Sequence, residues 1–169
     1  MNNTPIETEV KLLVRMPDIE EIKKQAQLAV KEIIQTYLCS FEGVTRRVRK
    51  ITEGESVRYI LTEKIRISKL SAYENEKEIS EKEYSELLKY ADNERTPINK
   101  TRYTFPYESH LMELDVYPFW IDRAILEVEL SSEEEKYSLP PVFEIIKDVS
   151  GDKRYKNATL AKTIVYEEI

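Results

Sequence analysis

Apolar and polar residues alternate one by one along most of this chain. In the first such run Ile6, Thr8, Val10 and Leu12 fall on one side and Glu7, Glu9 and Lys11 on the other, which predicts a strand over residues 6–14. The same alternation predicts strands near 33–40, 45–51, 57–67, 72–79, 98–105, 111–117 and 123–130. Thr52-Glu53-Gly54-Glu55 supplies a hairpin turn between the third and fourth. Elsewhere the period lengthens. Asp18 and Glu21 stand at capping-box spacing after Pro17, and Ile19, Ile22, Ala26, Ala29 and Ile33 form one helical stripe. Ser80-Glu81-Lys82-Glu83 is a second capping box, with Tyr84, Leu87, Leu88 and Ala91 on one face of a helix over 81–91. Pro140-Pro141 leads into a short helix carrying Val142, Ile145, Ile146 and Val149, and the tail from Gly151 ends in a helical piece around Ala161-Lys162. Eight strands joined mostly by short turns suit a closed antiparallel barrel, which leaves no free sheet edge. The expected class is therefore mainly β (α+β): one domain over 1–169, an eight-stranded tunnel with helices packed on its outside.

The polar faces of these strands are sorted by sign. Acids hold the faces of the fifth strand (Glu74, Glu76, Glu78), the seventh (Glu113, Asp115) and the eighth (Glu127, Glu129). Bases hold those of the third (Arg47, Arg49) and sixth (Lys100, Arg102), and Lys64 is in phase with Thr62 and Arg58 on the fourth. A solvated outer face is the ordinary reading of any one such strand. As a set they read differently. Solvated faces mix signs, and the amphipathic helices need an apolar surface to cover; if the apolar faces point out, the charges point in.

Inward charges need partners. Two like charges about 5 Å apart repel by roughly 3 kcal/mol at an effective dielectric of about 20. A divalent cation together with a phosphate chain would satisfy both signs. With one cysteine, one histidine and three glycines in 169 residues, Cys-based zinc and a Gly-rich phosphate loop are excluded, which leaves carboxylate oxygens for Mg²⁺ or Mn²⁺ and Arg or Lys for phosphate. A formal net charge of −6 argues against general nucleic-acid binding. No apolar run resembles a signal peptide or a membrane span, so a soluble cytoplasmic protein, a monomer or a homodimer, is expected.

Glu7-x-Glu9-x-Lys11 resembles the ExExK signature of the CYTH superfamily, the triphosphate tunnel metalloenzymes. The resemblance continues in order through Arg47-Val48-Arg49, Leu61-Thr62-Glu63-Lys64, Glu76-Lys77-Glu78-Ile79, Lys100-Thr101-Arg102-Tyr103, Glu113-Leu114-Asp115-Val116 and Glu127-Val128-Glu129-Leu130, to Asp152–Asn157 and Leu160-Ala161-Lys162. It covers nearly the whole chain. It implies that Glu7, Glu9 and Glu129, with Glu127 nearby, hold the metal ions and that Glu76, Glu78, Glu113 and Asp115 complete the acidic side and place a second metal or its waters. Arg47, Arg49, Lys64, Lys100 and Arg102 would bind the phosphate chain. Lys11 would position or activate the attacking water, beside Glu7 and Glu9, and Lys162 and Tyr155 would close one mouth. The implied substrate is a triphosphate: tripolyphosphate first, ATP or thiamine triphosphate as alternatives, with cyclisation of ATP or binding without turnover as further possibilities. Thr36 stands before Tyr37 where relatives carry Gly-Tyr-Leu.

Three residues stand apart. His110 follows Ser109 in a hairpin and reads as a solvated turn residue. Cys39 ends a strand and reads as a small core residue. Trp120 lies in a connection between strands, where stacking a base at a tunnel mouth is the lesser reading.

Overall fold

The protein structure, a computed structural model, describes residues 5–169. Its elements are β1 (Ile6–Arg15), α1 (Ile19–Lys23), β2 (Ala29–Leu38), β3 (Val44–Glu53), β4 (Ser56–Arg66), β5 (Ser71–Ile79), α2 (Glu81–Leu87), β6 (Ile98–Tyr107), β7 (His110–Val116), β8 (Arg123–Glu129), β9 (Ile145–Asp148) and α3 (Asn157–Leu160). The strands run in the order β5-β4-β3-β2-β6-β7-β8-β1, and pairing of β5 with β1 closes the ring. It is a closed antiparallel barrel of eight strands, with β9 outside it. Gly54 takes a left-handed conformation, φ 57°, in the tight β3–β4 turn, where a Cβ would be strained.

β1 pairs with β8 along one edge, from Glu9 to Arg15. Its other edge is shared. Ile6–Thr8 pair with Ser71–Tyr73 of β5, and further along Leu12–Val14 pair with β9. Here the sequence expectation fails. Ile145 and Ile146 were expected in a helix, but β1 would otherwise leave backbone groups unpaired where β5 has ended, and a strand there satisfies them. The first helix is also shorter than its stripe. α1 stops at Lys23, Gln27 turns the chain at φ 57°, and Ala29 and Ile33 belong to β2. The reason is pairing: β2 must run ten residues to match β3 and β6 on its two edges. Asp18 caps α1 through Glu20 N at 2.9 Å, not through a box with Glu21. The Ser80–Glu83 box forms as expected, with reciprocal bonds of 3.1 and 2.8 Å.

The apolar faces point outward and are covered. Val10, Leu12, Val14, Met112, Leu114, Leu126 and Val128 pack under Ile22 of α1 and Phe143. Leu38, Val48 and Ile79 pack under Tyr84 of α2. A third cluster closes one end of the barrel. Leu13, Tyr37, Ile98 and Ile125 continue the inward-facing rows, and Tyr155, Leu160 and Ala161 of the C-terminal segment pack on them with Tyr117 and Trp120. The charged faces are thus inside, because the helices and the C-terminal segment take the apolar ones.

Candidate active site

The barrel holds a cavity of about 330 Å³. In the closed ring β3 stands four strands from β8 in either direction, and likewise β2 from β1 and β4 from β7. Carboxylates of β1, β7 and β8 (Glu7, Glu9, Glu113, Glu127, Glu129) therefore face a wall of β3 and β4 that carries Arg47, Arg49 and Lys64. Alternation alone delivers this, since every second residue of each strand points inward.

Acids and bases pair along the cavity wall, mostly between neighbouring strands. Lys11 Nζ lies 2.7 Å from Glu127 Oε1. Lys64 binds Glu7, lies 2.9 Å from Glu74 and comes within 4.0 Å of Glu9. Arg49 binds Glu76, and Arg47 lies 3.5 Å from Glu74. Arg102 binds Glu113, Asp115 and Glu127, the last at 2.8 Å. The pairing is incomplete on the basic side: Arg47 Nε and Arg49 Nε are buried with no hydrogen-bond partner among the described residues. Such donors call for an acceptor.

The acidic side is strained by like charge. Glu9 and Glu129 are register partners on adjacent strands, as are Glu113 and Glu127. Burial, then Glu113 and Glu9, pushes the Glu129 carboxyl up. Burial raises Glu113 as well. Glu7 is pushed up to about 7 by burial and Glu9, against the pull of Lys64. Glu74 goes the other way: Arg47 and Lys64 overcome its burial and hold it at about 2. Burial works against the charge of Lys11, but Glu127 and Glu9 outweigh it and hold the ammonium well above its ordinary range. Lys11 is therefore a fixed cation at neutral pH. Among the described residues no three acidic, His or Cys side chains gather as metal ligands, because most of these carboxylates are drawn to Lys or Arg. The donor set is nonetheless all oxygen and mutually repelling at Glu9, Glu113 and Glu129, which fits a hard divalent cation.

No protein-family profile matches the sequence, and no curated protein is significantly similar to it. Solved structures are similar. The protein NE1496 shares 30% identity over 94% of this chain and 99% of its own, with a TM-score of 0.57. The chain belongs to the CYTH superfamily. A second structure of NE1496, described as an inorganic triphosphatase, matches at 29% identity over 93% of this chain and 95% of that one, with a TM-score of 0.57. PH1819 from Pyrococcus horikoshii OT3 (21% identity, 75% of this chain and 80% of its own, TM-score 0.58) shares the fold. So does a putative adenylate cyclase from Bacillus halodurans (15%, 76% and 83%, TM-score 0.52).

In this CYTH protein the residues singled out by sequence divide into two groups. Glu7, Glu9, Lys11, Arg47, Arg49, Lys64, Glu76, Arg102, Glu113, Glu127 and Glu129 line the cavity. Four do not. Lys100 and Asp115 form a pair 2.6 Å apart with side chains 1% and 0% exposed, behind Arg102. Burial and Arg102 push Lys100 down to about 8. Glu78 lies exposed at the end of β5, and Lys162 pairs with Glu94 at 2.5 Å. Tyr155 sits in the plug that closes the barrel end, while its neighbours Lys156, Asn157 and Ala158 form the cavity floor.

Sequence reading missed Lys31, Arg66 and Lys156 as cavity residues. Lys31 was hidden by the overlong first helix, although its phase with Ile33 and Tyr37 on a longer β2 would have found it. Lys156 had no periodic signal. The three isolated residues also differ from expectation. His110 is buried at the start of β7, its Nε2 3.2 Å from Glu135, because the 131–135 turn folds over it. Cys39 is exposed, since β2 ends at Leu38. Trp120 is buried in the plug with its Nε1 donating to Val165 O at 2.9 Å, and it does not line the cavity. Among the described residues no helix is long and apolar enough to cross a membrane.

Proposed function

We propose that this chain hydrolyses a triphosphate inside its barrel with a divalent cation, Mg²⁺ or Mn²⁺, and that inorganic tripolyphosphate is the preferred substrate. One observation carries the reading: Arg47, Arg49 and Lys64 line a cavity whose facing wall is carboxylate, and Arg47 Nε and Arg49 Nε are buried without a hydrogen-bond partner among the described residues. A phosphate chain supplies the missing acceptors. The likeness to NE1496, an inorganic triphosphatase, supports the same reaction class.

Arg47, Arg49 and Lys64 would hold the phosphate chain, with Arg102, backed by Asp115, reaching it from β6. Glu9, Glu113 and Glu129, with Glu7 and Glu127, would hold the cation, which neutralises phosphate charge and polarises the bond to be broken. Lys11, fixed as a cation by Glu127, orients charge and does not take a proton. Phosphoryl transfer asks chiefly for this kind of in-line placement and charge compensation.

The test is phosphate release from tripolyphosphate, ATP and thiamine triphosphate in Mg²⁺, Mn²⁺ or EDTA, beside an assay for cyclic AMP. Release from tripolyphosphate that EDTA abolishes is the expected result. Cyclic AMP as the main product from ATP, or turnover undiminished by EDTA, would overturn the assignment.

A further inference from the structure

Two cavity carboxylates, Glu74 and Glu76 of β5, have no part in holding the cation. Each is tied instead to a base assigned to phosphate. Glu76 binds Arg49 with its side chain 44% exposed. Glu74 is more deeply set, 8% exposed, and serves two such bases. It stands opposite Lys64 in the β4–β5 register, with Oε2 2.9 Å from Lys64 Nζ, and its Oε1 lies 3.5 Å from Arg47 Nη2. Charge holds it there more than hydrogen bonding does. Oε2 is buried without an aligned hydrogen bond among the described residues, close as Lys64 is. Arg47 and Lys64 nevertheless keep the carboxyl ionised, at about 2.

We propose that the Glu74 carboxylate takes the place of a phosphate on Arg47 and Lys64 while the cavity is empty, so that a phosphate chain binds there by displacing it. The proposal rests on the triphosphatase reading for its ligand class. Bases crowded inside a barrel need an internal anion. Burial and the neighbouring Arg47 already push Arg49 down to about 10, and Arg47 and Lys64 without Glu74 would add to that strain. The poorly aligned contacts of Glu74 are also easy to exchange, because phosphate oxygens can accept from Arg and Lys N–H groups in line. Exchange has a consequence for affinity. Each phosphate that reaches Arg47 and Lys64 meets a negative charge beside them, so Glu74 weakens the binding of substrate and product alike. Tripolyphosphate offsets this through Arg49 and the cation. A shorter product makes fewer such contacts, and Glu74 favours its release.

A carboxylate close to Glu7 and Glu9 has a second use, as a ligand of the divalent cation. The position of Lys64 decides against it. Its ammonium binds Glu7 and lies 2.9 Å from Glu74 and 4.0 Å from Glu9, where a cation shared by the three would stand.

Calorimetric titration of the full chain in EDTA with tripolyphosphate and pyrophosphate tests this without relying on turnover. Glu74→Gln and Glu74→Met, which keep the bulk of the side chain and leave Lys64 its contacts with Glu7 and Glu9, should each bind both phosphates about tenfold more tightly than the wild type, since a like charge is removed. Glu63→Gln removes the same charge from the outer face, where Glu63 pairs with Arg46 at 2.9 Å, and should change neither affinity. Unchanged or weaker binding in both Glu74 variants would overturn the proposal, and so would equal tightening in Glu63→Gln. A Mg²⁺ or Mn²⁺ requirement for turnover that rises tenfold or more in Glu74→Gln would place Glu74 on the cation and overturn it as well. Tighter binding in the Glu74 variants, with no hydrolysis by the wild type in Mg²⁺ or Mn²⁺, would sink the triphosphatase reading and leave the displaced carboxylate standing. No binding of either phosphate by any of these proteins would sink both.

Discussion

Asp115→Asn should destabilise the protein more than Lys100→Met, although the two residues are partners. Asp115 is fully buried and serves two cations. Its Oδ2 accepts from Lys100 Nζ at 2.6 Å and from Arg102 Nη2 at 2.7 Å, and its Oδ1 accepts from Arg102 Nε at 2.6 Å. Lys100→Met removes one of three bonds and leaves the carboxylate in its Arg102 fork, so the cost should be near that of a charged hydrogen bond, about 1.5–3 kcal/mol. Asp115→Asn leaves Lys100 buried without its carboxylate, and breaking a buried pair from one side costs about 3–5 kcal/mol. Against a typical domain stability of about 5–15 kcal/mol, only the second variant should approach collapse. Urea unfolding followed by circular dichroism measures both. The pH dependence adds a signature. Lys100 has a folded pKa of about 8, below its ordinary 10.5, so between those values the unfolded chain binds the extra proton. Stability should therefore rise from pH 8 towards 10.5, and that part of the rise should vanish in Lys100→Met. Equal costs for the two variants, or an unchanged alkaline slope in Lys100→Met, would refute the account of this pair.

Four further outcomes are expected. Arg49→Ala should raise KM for tripolyphosphate about tenfold or more with a smaller change in kcat, whereas Glu129→Gln should abolish turnover at Mg²⁺ levels that saturate the wild type; steady-state assays over a metal titration separate the two. Lys11→Arg should keep a measurable share of kcat and Lys11→Met very little, because the role assigned is a positive charge; a general base would be lost equally in both. Glu7 has a folded pKa raised to about 7 from 4.5, so the metal-free protein takes up a proton on folding between those values and loses stability as pH climbs through them. Glu7→Gln should accordingly raise the metal-free Tm at pH 8 and change it little at pH 4.5; a lower Tm at pH 8 would contradict the assignment. Lys64→Met should speed amide exchange at Ser71–Tyr73 of β5 more than in β8, which mass spectrometry of deuterated peptides would read.

The barrel and its inward charge were legible because two independent signals agree in the sequence. Glu7, Glu9 and Lys11 alternate with residues that the structure buries outside, and Ile22 and Tyr84 needed something apolar to cover. Where only one signal exists, the reading failed. Ala29 and Ile33 fit a helix stripe as well as a strand, since both faces of β2 carry apolar residues, Val30 and Ile34 outside and Ile33 inside. Ile145, Lys147 and Asp148 pair with β1 only because the β1–β5 pairing stops at Thr8, a fact of tertiary pairing that no local pattern holds. For the site, periodicity named the wall but not its depth. Lys100 and Asp115 share the phase of Arg102 and Glu113, and only packing shows that they lie behind the cavity.

The short β1–β5 pairing gives the barrel a clasp. Three residue pairs join these strands, against seven between β1 and β8. Lys64, reaching Glu7 of β1 and Glu74 of β5, ties the two sides of that clasp with the same ammonium that faces the cavity. An anion that drew Lys64 away from Glu7 and Glu74 would loosen the tie, and its release would fasten the tie again. The ring would then resemble a cuff whose buckle is also one of its grips.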